Sequence, residues 1–355
     1  MGWRRSGPRW VVWVVLLLLC LSAGLLYAAL TGRTRRGSTV VQRTPGAEVA
    51  AARGAEALVE RHLDGVWVQT GEEAGRPRAV MIDNHVSGWP ISGLAQARVV
   101  IEAPVEGGLP RFMAFFDGFS HIDKIGPVRS ARPYFVDWAL GWGAEYFHVG
   151  GSSEALEQIR RQVGSMADVD EMRTGNAFWR ASDRTAPHNA YTSTDFMTTV
   201  EMRRSFVTSS SLVAWHMQDA ASGTERGDVL TIRIPYGGSY NVRWRFDKTR
   251  NVYARSQASK PQIDADGSPV ESENVIVIKT DARVLDRVGR LHVRTIGSGD
   301  ALAYRDGKKF AIRWRRGVGE PLRFEGMDGA EYLLNRGRTW IEVTTDDQTF
   351  AGLER

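Results

Sequence analysis

The densest run of chemistry-bearing side chains is residues 124–135, KIGPVRSARPYF. A Gly-Pro turn leads into Arg129, Ser130 and Arg132, and Pro133 then opens a helical pattern. The first turn of a helix presents unpaired N–H groups and a partial positive charge. Two guanidinium groups beside it suit phosphate or carboxylate, because guanidinium forks hold oxyanions bidentately. The competing use of the same arginines is an internal ion pair with an acid such as Asp137. A second cluster is Glu102-x-x-x-Glu106-Gly107-Gly108, followed by Arg111. Two carboxylates at a strand end could bind a cation or do acid–base work. A charged hairpin turn with glycines at its bend is the plainer reading.

Asp83-Asn84-His85 closes an apolar strand, where α/β domains place ligand residues. His148-Val149-Gly150-Gly151-Ser152 joins a strand to a helix start. It could line a further anion pocket, although it lacks the lysine of a P-loop. Asp83-x-His85, His121-Ile122-Asp123 and His188 are the only hints of metal ligands, and spacings of this kind are common by chance. No metal site and no cofactor are expected. No G-x-S-x-G, H-E-x-x-H or C-x-x-C motif occurs, so no complete catalytic constellation is visible.

Positioning these groups requires strands and helices in alternation. Residues 79–83, 99–102, 111–116 and 146–149 look like strands. Residues 133–142, 153–163 and 194–204 look like helices, the first opened by proline and the second by a serine cap. Together they predict an N-terminal α/β or α+β domain over 65–215. A connector follows at 216–227. From 228 to 345 the pattern has period two, as in Tyr240, Val242, Trp244 and Phe246, and turn dipeptides punctuate it. That predicts a separate, mostly-β C-terminal domain, with a tail at 346–355.

Upstream, residues 10–30 carry no charge over 21 positions, enough for a single transmembrane helix. The run is longer than the apolar stretch of a signal peptide and lacks a clean cleavage site, which favours an uncleaved signal anchor. Residues 1–9 would be a cytoplasmic tail. Residues 31–64 would be a tether ending in a short helix over 47–63. The body would lie outside the cytoplasm at the cell membrane. Cys20 is the chain's one cysteine, so the body has no disulfide and no thiolate chemistry. Net charge is +5. Residues 1–36 hold six arginines and no acid, and the rest holds 40 basic and 41 acidic residues. The body therefore has no bulk attraction for polyanions, and nucleic acid is not an expected partner.

The phrases AVMIDNH (79–85), GLAQARVVIEAPVEGGLPRFMAFF (93–116), KIGPVRSARPYFVDWAL (124–140), YFHVGGSSEAL (146–156) and APHNAYTS (186–193) resemble the YerB family. So do ENVIVIKTDARV (273–284), GRLHVRTIGSGDALAYRDGK (289–308) and RTWIEV (338–343). That family consists of bacterial envelope lipoproteins built on a domain of unknown function in two halves. The resemblance spans 75–345 and implies an extracytoplasmic, membrane-attached protein. It implies no activity. The lipoprotein cysteine motif is absent, so attachment would be through residues 10–30. Arg98 stands where the family usually has an acid.

The order of elements is also similar to LytR-CpsA-Psr cell-wall ligases, which move glycopolymers from polyprenyl-phosphate carriers. On that analogy Asp83, Arg111, Arg129 and Arg132 would hold a lipid phosphate. The expectation is a non-catalytic envelope module. It would bind an anionic cell-wall ligand or a protein partner through a pocket of Arg111, Arg129, Ser130 and Arg132. The alternative is a phosphotransferase or hydrolase acting on polyprenyl-phosphate-linked polymers, with Asp83 or Glu102 holding Mg2+.

Overall fold

The computed structural model describes residues 58–345 apart from 74, 163, 205 and 207–214, together with residue 353. The apolar run 10–30 and the expected tether and tail lie outside those residues. Among the described residues no helix is long and apolar enough to cross a membrane. The expected helix over 47–63 is corrected at its described end. Leu58–Glu60 forms a strand that pairs antiparallel with Trp67–Gln69. Gly65, at φ +67°, turns the chain, and the Arg61 guanidinium clamps Asp64 at 2.6 Å across the bend.

The first half supplies β1 (Arg78–Ile82), β2 (Val99–Pro104), β3 (Pro110–Phe116), α1 (Pro133–Gly141), β4 (Glu145–His148), α2 (Ser153–Arg161), β5 (Ala167–Asp170) and α3 (Thr194–Arg204). The helix starts follow the expected signals. Pro133 takes the first helical position of α1, and the Ser152 hydroxyl caps α2 by accepting from the Ala155 N–H. The second half supplies β6 (Thr231–Ile234), β7 (Val242–Asp247), β8 (Val252–Gln257), β9 (Asn274–Lys279), β10 (Gly297–Arg305), β11 (Lys308–Arg316), β12 (Arg323–Gly326) and β13 (Thr339–Thr344).

The expectation of a separate C-terminal domain needs correction. Ten strands from both halves form one sheet in the order β12-β11-β10-β9-β13-β2-β3-β1-β4-β5. The seam is the parallel pair β13–β2, with Thr339 opposite Val99 and Glu342 opposite Glu102. The second half is rich in strands as expected. Outside the shared sheet it forms the smaller antiparallel sheet β6-β7-β8 and a two-stranded pair of Ala282–Val284 with Leu291–Val293. Nor is the connector a free linker: Met217–Gln218 pairs parallel with Leu334–Asn335, and just ahead of it the buried Trp215 indole donates to the Leu322 carbonyl at 2.7 Å.

Each strand of the shared sheet sends alternate side chains to opposite faces. Met81, Ile101, Met113, Ile276 and Ile341 join α1 and α2 in one core. Val80, Val100, Phe112, Val275 and Trp340 join α3 and the inner face of β6-β7-β8 in the other. Covered on both sides, these strands read as nearly continuous apolar runs, which is why residues 79–82 and 99–103 are so recognisable in sequence.

Candidate functional site

The residues 126–131 form a strand-like insertion beside β1. Asp83 N–H donates to the Pro127 carbonyl, and Arg129 N–H donates to the Met81 carbonyl. On the far side, Val149 N–H donates to the Arg129 carbonyl and Ala131 N–H to the Gly150 carbonyl. This backbone pairing fixes Arg129 against Asp83 at the carboxyl end of β1.

Asp83 is buried, and three groups converge on it. His188 Nδ1 lies 2.5 Å from Asp83 Oδ2, Arg129 Nε lies 3.5 Å from the same oxygen, and the His85 backbone N–H donates to Oδ1 at 3.0 Å. The His85 ring stacks on the His188 ring with centroids 4.7 Å apart. Arg129 also donates to the Pro187 carbonyl at 2.8 Å. The Asp83 carboxylate thus holds an imidazole and a guanidinium from segments far apart in sequence.

Beside this group sits Arg111, only 6% exposed. Among the described residues its one side-chain hydrogen bond runs from Nη1 to the Ser130 carbonyl at 2.9 Å. Burial, then the like charges of Arg132 and Arg129, push the Arg111 guanidinium down to about 10. Arg132 is clamped bidentately on Glu106, with Nε–Oε1 at 2.5 Å and Nη2–Oε2 at 2.7 Å. Burial alone would raise Glu106, but hydrogen bonds and charge from Arg132 outweigh it and hold the carboxyl below its usual range. Three guanidinium groups therefore gather near two carboxylates, and among the described residues Arg111 is the one that makes no ion pair, feeling Asp83 only through its charge.

The expected set is thus divided. The structure brings together Arg111, Arg129, Ser130, Arg132, Asp83 and Glu106. The internal ion pair foreseen for Arg132 exists, but with Glu106. Asp137 instead accepts from Gln158 at 2.6 Å and from Thr295 at 2.6 Å.

Glu102 does not belong to this site. It is fully buried and gripped by Arg255 Nη2 at 2.8 and 2.7 Å, with the Trp340 indole donating at 3.1 Å and the Asn84 amide at 3.2 Å. Burial first, and Glu342 close by, push its carboxyl well above the ordinary range. Holding Mg2+ there would require displacing Arg255.

His148 is also corrected. Its ring is wholly buried, with Nδ1 at 2.7 Å from the Gly150 carbonyl and Nε2 at 2.7 Å from Asp168 Oδ1. It braces the turn and lines no opening. Gly150 and Gly151 form a backbone wall next to the 129–131 segment, and a Cβ on Gly151 would press on Ala131 Cβ at 3.2 Å. Arg98, at the family's usual acid position, pairs with Asp117 at 2.7 Å in a network with Arg61 and Asp64.

His188 and His85 appear in the sequence only as scattered metal candidates. Their pairing with Asp83 spans 105 positions for His188, and no local spacing announces it. Among the described residues no group of three or more His, Cys, Asp or Glu is placed to hold a metal ion.

Two halves closed on one mixed sheet, with an arginine–carboxylate cluster where β1 and β3 meet the 126–131 insertion, define the class. The N-terminal domain of the family described as "Protein of unknown function (DUF3048)" matches residues 63–206, and the C-terminal domain of the same family matches residues 232–341. The chain belongs to this family, with YerB as a named relative. It is 30% identical to YerB of Bacillus subtilis (strain 168), whose name describes a lipoprotein, over 290 residues covering 80% of this chain and 86% of that one. The crystal structure of the Bacillus subtilis YerB protein superposes with a TM-score of 0.74 at 28% identity, covering 82% of this chain and 98% of that one.

Proposed function

We propose that this protein is held in the cell membrane by residues 10–30, with its body outside the cytoplasm. There it binds an anionic envelope ligand at Arg111, Arg129 and Ser130 without catalysing a reaction. The observation that carries this reading is Arg111. A buried guanidinium without a carboxylate is costly unless an anion completes it. A phosphate or carboxylate seated over Ser130 would supply that charge, with Arg129 as a second donor. Arg132 is held by Glu106 and would act through its charge alone. A lipoprotein name on a relative with 86% of its length covered supports the location.

The test is calorimetric titration of the detergent-solubilised full chain with inorganic pyrophosphate and with muropeptides. Binding of either that is lost in Arg111→Met supports the reading. Equal heats from wild type and variant remove it.

One observation favours a second reading, phosphoryl transfer or hydrolysis on polyprenyl-phosphate-linked polymers. The Asp83–His188 contact supplies an oriented base next to Arg129, the arrangement general-base chemistry uses. Release of phosphate or of polyprenol from a polyprenyl-phosphate substrate, abolished by His188→Gln, would establish it.

A further inference from the structure

The smaller sheet carries a second feature, on the side facing away from the core. Arg233 of β6 and Arg243 of β7 are directly opposite in the antiparallel register, and Ser256 of β8 continues the same row. Both arginines are exposed. Among the described residues neither makes an ion pair or a side-chain hydrogen bond. Arg245, two positions along the same face and about 7 Å away, is likewise without an acid. The nearest carboxylate on that strand, Asp247, accepts from the Thr249 and Arg250 N–H groups.

Like charges directly opposite across strands oppose pairing. Elsewhere in the protein exposed arginines find acids, as Arg250 does with Glu271 and Arg315 with Glu325. Arg233 and Arg243 instead line an open depression of about 490 Å³, rimmed by Ser239, Asn241, Ser256 and Ser259. Ser259 reaches the rim because Ala258 and Ser259 both take left-handed backbone angles, φ +52° and +63°. No aromatic ring lines it, and its apolar contribution comes from Ile234, Pro235, Val242 and Ala258.

We propose that this depression binds a phosphodiester-linked polyol or saccharide strand. Guanidinium forks would take successive phosphate oxygens, and the serine and asparagine groups would take the hydroxyls between them. The row Arg243–Arg245 extends the contact past the depression, as a linear polymer with regularly spaced charge requires. The site is independent of Arg111 and lies on the other half of the chain.

The experiment measures anisotropy of fluorescently labelled poly(glycerol phosphate) on the full chain in neutral detergent. An Arg111→Met background separates it from the first site. The expected result is saturable binding that weakens with added salt and drops about tenfold or more in Arg233→Ser with Arg243→Ser. The double variant melts no lower than its parent, because a like-charge pair has been removed. Ser256→Ala lowers affinity several-fold on its own. Binding unchanged in the double variant overturns the proposal. So does loss of all polymer binding in Arg111→Met alone, or equal competition by neutral dextran. Tighter, Arg243-dependent binding to phosphatidylcholine–phosphatidylglycerol vesicles than to the polymer would reassign the surface to a membrane and also overturn it.

Discussion

Glu102 and Glu342 face each other in register on β2 and β13, one carboxylate from each half of the chain, with the buried Arg255 guanidinium closing on Glu102. Glu342 accepts from the Trp244 indole at 2.8 Å and from the Tyr236 hydroxyl at 2.9 Å. Burial pushes both carboxyls upward; Glu342 raises Glu102 further, whereas Arg255, the Trp244 indole, the Tyr236 hydroxyl and Glu102 offset part of the rise at Glu342. A raised carboxyl stabilises the fold below its unfolded value and loses that contribution as pH rises through its folded value. Glu342→Gln, which mimics the protonated acid, should leave stability at pH 6 within about 1 kcal/mol and flatten its decline towards pH 9. Arg255→Met, which strands both acids, should cost about 3–5 kcal/mol in urea melts at pH 7.

Glu145 gives a second, separable pH dependence. Burial, then Glu201 beside it, push its carboxyl up to about 8. Arg78 is already clamped on Glu201 at 2.5 Å, so its charge and that of Arg76 offset only part of the rise at Glu145. Stability from this group is full below pH 4.5 and disappears as pH rises through 8. Glu145→Gln should therefore lose less stability than wild type between pH 5 and 8, by roughly 1 kcal/mol or more. Parallel curves for the two proteins would show that Glu145 is not protonated in the fold.

Arg111 separates binding from stability. Methionine keeps its apolar reach and removes a buried charge that makes no ion pair among the described residues. Arg111→Met should melt at or above the wild-type temperature in the absence of ligand, by up to about 1 kcal/mol. The same variant should no longer bind pyrophosphate in calorimetry. A stability loss of several kcal/mol instead would mean that the guanidinium is structural.

Gly141 marks where α1 rests on the second half. A Cβ there would sit 2.1 Å from the Glu320 carbonyl oxygen, which is backbone and has little room to yield. Gly141→Ala should lower stability by about 1–3 kcal/mol in urea melts without changing anion affinity.

The strands that carry the site were legible because both of their faces are covered, which leaves apolar runs such as residues 79–82. The starts of α1 and α2 were legible because Pro133 and Ser152 act locally. What pairs with what was not. Arg132 finds Glu106 over 26 positions, and Arg255 finds Glu102 over 153. Glu102 and Glu342 resemble surface acids at strand ends, since period-two patterning does not distinguish an acid sealed by a distant guanidinium. The union of the halves was invisible for a related reason: 339–344 reads as an ordinary strand, and nothing in WIEV announces a place in the middle of a sheet.

That place has a bearing on biogenesis. β13 follows every other strand of the shared sheet in the chain, yet it is inserted between β9 and β2. Until it emerges from the ribosome, both neighbours present raw edges, the state most open to mispairing. Folding of the first half is therefore provisional, and a nascent polypeptide stopped at Arg338 should depend on a chaperone to stay soluble.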